Sequence, residues 1–247
     1  MIKLTRLSKP SFLTDDKVNE LTLQFKIDAS SVWNVKEIKT PLLLSSHNKC
    51  AYCECPLTLE SNYMEVEHFE DKKNNPDKVV IWENLLPSCK RCNGAKSGHD
   101  VITDPIVNPY VDDPKQHLAW RLYHIRSKSA KGVSTIETVD LNNSDRLVYV
   151  RYRIGEKIHS LVEKAQGRLD KFLNDKTIRN RNKIVSTVEG LLKECQLEAD
   201  YAASTATLLL TDQTFTNIKS QMINESIWNN GLQSAFQRAS EIKLDYI

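Results

Sequence analysis

Two Cys-x-x-Cys pairs, Cys50-Ala51-Tyr52-Cys53 and Cys89-Lys90-Arg91-Cys92, constrain this chain more than any other feature. Four thiolates at that spacing can close a tetrahedral metal site, which ties residues 50–53 to residues 89–92 across a long insert. Whether they do so depends on the compartment, because reduced cysteines bind metal where oxidised ones form disulfides. The N-terminal stretch carries Lys3, Arg6 and Lys9, but no apolar h-region follows them. No apolar run approaches the roughly 20 residues needed to cross a bilayer. The expected setting is therefore cytoplasmic, without a membrane, with all six cysteines reduced. Cys50, Cys53, Cys89 and Cys92 then read as ligands of a structural Zn²⁺, closed to substrate. The alternative is two redox dithiols, which lack a surrounding thioredoxin-like βαβ pattern. Cys55 competes for the first pair with poorer spacing, and Cys195 reads as a small buried hydrophobe on a helix.

The rest of the chain organises around this staple. No proline occurs after Pro114, so the second half can run as uninterrupted helix while the first cannot. Thr14 precedes a periodic segment with Val18, Leu21, Leu23 and Phe25, and a short helix near residues 42–46 is entered through Pro41. Residues 118–126 and 133–139 alternate apolar and polar side chains, which predicts a β-hairpin turning at Gly132. Leu147, Val150, Ile154, Ile158, Leu161 and Leu169 recur at helical spacing and predict a long helix over 145–174. Further helices are expected over 177–195, 198–210, 212–223 and 228–242. The predicted class is α+β: a helical segment over 1–48, a zinc-stapled ββα unit over 49–114, then the hairpin and a mainly helical region over 115–247.

A plain zinc ribbon needs only a short link between its knuckles, whereas residues 54–88 contain Glu65-Val66-Glu67-His68 and Trp82-Glu83-Asn84-Leu85. An acidic residue beside His, then Asn-Leu, then Cys-x-x-Cys-Asn-x-x-Lys, resembles the HNH or ββα-metal nucleases over about fifty residues. The resemblance implies hydrolysis of phosphodiester bonds, which requires a base to activate water, a cation to stabilise charge on the phosphate, and contacts that hold the backbone in line. His68 matches the general base, and an imidazole is available in its neutral form near pH 7. Asn84 matches the residue whose side chain orients that imidazole. Glu67 and Asn93 match the metal-binding positions, where a carboxylate and an amide oxygen suit Mg²⁺ or Mn²⁺. Adjacent residues of a regular strand face opposite ways, so Glu67 and His68 share a site only if the backbone bends or the imidazole reaches around.

Lys90, Arg91 and Lys96 flank the second knuckle and are candidate phosphate contacts, with a solvated charge cluster as the alternative. His99, in Lys96-Ser97-Gly98-His99-Asp100, is a candidate further ligand or phosphate contact. Many HNH sequences carry a proline soon after the His; here Phe69-Glu70-Asp71-Lys72-Lys73 follows and the first proline is Pro76. Asn93 has a plainer reading as a helix cap.

The longer wording, Lys49-Cys50-Ala51-Tyr52-Cys53-Glu54, Met64-Glu65-Val66-Glu67-His68-Phe69 and Trp82-Glu83-Asn84-Leu85-Leu86-Pro87-Ser88-Cys89, resembles the PtuB family of HNH effectors. These belong to Septu and related retron-linked anti-phage systems of bacteria. The likeness implies a defence nuclease working with a PtuA-like ATPase, and in some systems with a reverse transcriptase and retron DNA. DNA is the expected substrate and RNA, including transfer RNA, the alternative. With 34 Lys and Arg against 32 Asp and Glu, the net charge of +2 favours guidance by a partner over strong intrinsic affinity for nucleic acid. A competing reading is a non-catalytic zinc module that binds nucleic acid or the ATPase.

Overall fold

The computed structural model describes residues 1–59 and 62–247. Contacts gather the chain into two compact units, Met1–Leu118 with Arg126–Asn142, and Ala119–Ile125 with Asn143–Ile247.

The first unit opens with α1 (Asp15–Asp28), capped by the Thr14 side chain accepting from the Lys17 N–H, with Asp15 and Asp16 in its first turn. Ala29 ends the helix in the left-handed region at φ 57°. Helix α2 spans Lys36–Ser45, so Pro41 lies inside it and not at its entrance as expected. The proline removes one backbone hydrogen bond, but Ile38 and Leu42, a turn apart and both fully buried, hold the helix against the core.

Strand β1 (Thr58–Leu59) pairs antiparallel with β2 (Asn62–His68), and β2 with β3 (Leu85–Cys89), in the register Met64↔Cys89, Glu67↔Leu86 and His68↔Leu85. Two 3₁₀ turns, Pro76–Lys78 and Trp82–Asn84, interrupt the connection, and α3 (Lys90–Lys96) leaves β3 directly, which completes a ββα unit.

Beyond the short α4 (Pro114–His117), the expected hairpin is displaced. Its strands are β4 (Leu118–Arg121) and β5 (His124–Ser127), joined through Leu122 and Tyr123 at φ 46° and 65°. Residues 133–139 are not its second strand, because α5 (Ala130–Thr138) occupies that stretch up to Thr138. Ser129 caps that helix by accepting from the Gly132 N–H. Gly132 serves the first helical turn, where a Cβ would stand 2.1 Å from the His117 carbonyl oxygen. Val133, Ile136 and Val139 recur every third residue, a spacing that serves a helix as readily as a strand once a cap is present.

The second unit is helical: α6 (Tyr149–Asn174), α7 (Ile178–Lys193), α8 (Ala202–Thr211), α9 (Gln213–Asn224) and α10 (Asn230–Ile242), close to the expected spans. Its core joins Ile158, Val162, Leu169 and Phe172 of α6 to Ile184, Val188 and Leu191 of α7 and Phe215 of α9. Strand β6 (Asp245–Tyr246) lies parallel to β4. Among the described residues no helix is long and apolar enough to cross a membrane.

Candidate active site and cysteine cluster

Cys89 ends β3 and Cys92 sits in the first turn of α3, so one strand–helix junction presents two thiols at fixed spacing. Cys50 and Cys53 come from the turn whose Ala51 N–H donates to the Pro87 carbonyl at 2.9 Å, beside that junction. The four ligand sulfurs all lie within 4.8 Å of one another, and Cys53 Sγ is 3.8 Å from Cys89 Sγ. This is far beyond a disulfide, yet close to the edge of a tetrahedron of sulfurs around a metal at about 2.3 Å. All four are buried. Hydrogen bonds from the neighbouring thiols, that of Cys50 first, hold the Cys89 thiol far below its ordinary range, while the same neighbours push Cys92 up. Four thiolates cannot ionise together in so small a buried volume without a cation between them. The donor set fits a tetrahedral thiolate-bound metal. Cys55 stands outside the set of four, and Cys195 is buried in the helical core.

Glu67, His68 and Asn93 line one cleft of about 870 Å³, together with Trp33, Lys72 and Asp71. His68 is the terminal residue of β2, and both it and Glu67 open onto this cleft although they are strand neighbours. Its Nε2 lies 2.8 Å from the Val79 carbonyl oxygen. A carbonyl can only accept, so Nε2 carries the proton and Nδ1 is the basic nitrogen. Burial, aided by the Lys72 charge, pushes the imidazole down to about 4. The indole of Trp33 packs edgewise on the ring, with centroids 4.6 Å apart.

Glu67 is only 2% exposed. Its Oε1 lies 2.7 Å from Lys96 Nζ but receives no hydrogen bond of good geometry. Burial pushes this carboxyl up to about 7 even against the Lys96 charge. The phenol oxygen of Tyr52, inside the first knuckle, is also buried and has no hydrogen-bond partner among the described residues. An under-satisfied buried carboxylate, beside an amide oxygen in an open cleft, fits a hard divalent cation that retains some of its water.

The remaining expected residues divide. Asn93 donates through Nδ2 to Glu65 Oε2 at 2.6 Å, which gives Glu65 the task of fixing that amide. Asn84 does not bond the imidazole. Its Oδ1 accepts from the Glu70 N–H at 2.7 Å, and its Nδ2 donates to the carbonyls of Glu70 and Lys78 at 3.0 and 3.1 Å. It therefore staples the chain just after His68 to the segment whose next residue, Val79, holds the ring. Lys96 is no surface phosphate contact: it is 2% exposed and donates to the His68 carbonyl at 3.0 Å as well as facing Glu67. The short helix α3 turns its last residue inward, where a buried ammonium needs both partners. His99 bonds the Asp104 carbonyl at 2.7 Å and does not line the cleft. Lys90 and Arg91 are exposed on the first turn of α3. Trp33, Phe25 and Lys72 line the cleft without having been expected, and only the Lys72-Lys73 doublet offered a local signal.

The HNH endonuclease family matches residues 50–98, the segment that holds both knuckles and the cleft residues Glu67, His68 and Asn93. The Septu protein PtuB of Bacillus thuringiensis is 43% identical over 241 residues, which cover 97% of this chain and 93% of that protein. A Septu protein PtuB of Bacillus mycoides (strain KBAB4) is 27% identical over 193 residues, covering 59% of this chain and 64% of that protein. The first likeness runs far beyond the nuclease segment and through the helical unit, and on it the chain belongs to the PtuB family and is an HNH endonuclease.

Proposed function

We propose that this enzyme hydrolyses phosphodiester bonds of DNA, as the nuclease of an anti-phage defence complex with a PtuA-like ATPase. Nδ1 of His68 takes the proton of the attacking water. Val79 holds the imidazole in the tautomer that leaves this nitrogen basic, and Trp33 limits its rotation. Glu67 and Asn93 would hold Mg²⁺ or Mn²⁺, which stabilises charge on the phosphate and the leaving oxygen when bound. Lys96 keeps the Glu67 carboxylate in place and anchors the backbone of His68. Cys50, Cys53, Cys89 and Cys92 would hold Zn²⁺, which fixes α3 and thereby Asn93 against β2.

The observation that carries this reading is the meeting of Glu67, His68 and Asn93 in one cleft of the ββα unit. The test is cleavage of DNA and of RNA, including transfer RNA, by the chain purified with its ATPase and supplied with Mg²⁺ or Mn²⁺. His68→Ala is expected to lower the cleavage rate by roughly 10²- to 10⁴-fold, the contribution of a general base, measured below the melting temperature of the variant, which should fall because the buried ring packs on Trp33 and bonds Val79. Undiminished cleavage by that variant would remove His68 from the mechanism. Cleavage confined to RNA would replace the substrate and leave the chemistry intact.

A further inference from the structure

The charge of this chain is unevenly distributed. Residues 149–193, helices α6 and α7 with their link, hold eleven of the 34 Lys and Arg but only five of the 32 Asp and Glu. The rest of the chain is net acidic. The excess is also sorted by face. On α6, Tyr149, Arg153, Lys157, Lys164, Arg168 and Lys171 follow one another at intervals of three, four or seven, while Glu156, Glu163 and Asp170 form a separate row. The buried residues of the helix, among them Ile158, Val162 and Leu169, form its opposite side.

The acidic row is partly occupied: Gln166 donates to Asp170 at 2.8 Å, and His159 lies 3.5 Å from Glu163. In the basic row, Arg168 donates to the Lys183 carbonyl and to the Thr187 hydroxyl, and Arg153 to the hydroxyl of Tyr149 in the same row, which leaves the lysines. Lys164 and Lys171 form no ion pair among the described residues, and Lys157 reaches only Glu194, at 3.9 Å between exposed side chains. From Tyr149 to Lys171 the row runs about 33 Å at the helical rise, close to one turn of B-form duplex at about 34 Å. Beside it, Lys164, Arg168, Ser186, Thr187 and Gly190 line a groove of about 280 Å³ between α6 and α7, with one carboxylate, that of Glu194, beside Lys157 at its edge.

Two glycines add a separate observation. Gly167 and Gly190 lie inside α6 and α7, where glycine costs helix stability relative to alanine. Neither has a positive φ, and a Cβ at either position would meet nothing within 4 Å. Nothing within the unit requires them. They leave the helix backbone bare beside the basic row, as a closely approaching ligand would require.

We infer that this face of α6 and α7 binds the phosphodiester backbone of nucleic acid, as a docking surface built from residues outside the HNH segment. Three lysines, two arginines and a tyrosine in a row, with hydroxyls and bare backbone beside them, match a continuous line of phosphates. Recognition of this kind is independent of sequence. It also replaces the expectation, drawn from a net charge of +2, that the chain has little affinity of its own for nucleic acid. The assignment of nucleic acid over another polyanion rests on the nuclease reading; the surface itself does not.

The experiment measures binding of the full chain to a short labelled duplex by fluorescence anisotropy, without divalent metal, over a range of salt. Lys157→Gln, Lys164→Gln and Lys171→Gln are combined; all three positions are exposed on a helix and glutamine is a comparable helix former. The slope of log Kd against log salt is expected to fall by about three, and affinity at about 0.1 M salt on the order of a hundredfold. A control with Lys9, Lys17 and Lys36 changed to Gln should bind as the parent does. An unchanged slope in the triple variant, or an equal loss in the control, overturns the proposal. Displacement of the duplex by polyglutamate as effective as by unlabelled duplex at equal charge overturns it in favour of an acidic protein partner. Cleavage measured in parallel separates the two readings. His68→Ala should bind with parental affinity, so that a face that binds without cutting sinks the nuclease reading alone, and cutting without this face sinks the proposal alone.

Discussion

At the residue scale, the site depends on which backbone carbonyls fall within reach of a few buried polar side chains. The imidazole of His68 is set by Val79, and the position of Val79 is set in turn by Asn84, which ties Lys78 and Glu70 together. Asn84→Ala should therefore slow cleavage by its effect on His68. It leaves an N–H and two carbonyls short of partners and should cost about 2 kcal/mol. Urea denaturation gives the second quantity and single-turnover kinetics the first. Unaltered kinetics in a destabilised variant would reduce Asn84 to a structural role. The residue types at this site were legible in the sequence, because Glu67, His68, Asn84 and Asn93 stand in a recognisable order. Their partners were not. Lys96 has the sequence context of a surface cation, and only the fold reveals that the end of α3 points at Glu67 and the His68 carbonyl.

At the scale of elements, local signals and tertiary contacts sometimes favour different structures. The stretch after Ser129 alternates well enough for a strand, but the Ser129 cap and the close approach of Gly132 to His117 make it a helix. Gly132→Ala places a methyl group where a carbonyl oxygen stands and should destabilise the first unit by about 2 kcal/mol or more, read as a lower urea midpoint. The loop before α4 is held by Asp112, whose carboxylate accepts from the Asn108 N–H at 2.9 Å and pairs with Lys131 at 2.9 Å. Burial raises this carboxyl, but that hydrogen bond and the Lys131 ammonium lower it further, so its ordinary value is depressed on folding. A depressed carboxyl contributes stability above its unfolded pKa, near 3.9, and that contribution disappears as pH falls through the folded value. Asp112→Asn should thus cost about 1 kcal/mol at pH 7 and less near pH 2. Equal losses at both pH values would show that shape, and not charge, is what Asp112 supplies.

At the scale of the molecule, the two units have different sources of stability. The helical unit has a continuous apolar core running from Ile158 to Ala239. The first unit places four buried thiols where α3, β3 and the Cys50 turn converge. A strong zinc chelator should therefore unfold the first unit while the helical unit keeps its far-ultraviolet signal, and one zinc per chain should be released. Limited proteolysis after chelation would show cuts confined to the first unit if this division holds, and cuts throughout if it does not. What the sequence determined by itself was whatever depends on neighbours along the chain: two knuckles, a capped first helix, long amphipathic helices after the last proline, and an ordered set of nuclease residues. What the tertiary structure decided was whatever depends on distance in space. It turned Lys96 inward, gave the imidazole to Val79 and not to Asn84, and displaced the hairpin. Chain neighbours fix helical period and ligand spacing, whereas a buried polar group is placed by the one donor or acceptor close enough to satisfy it.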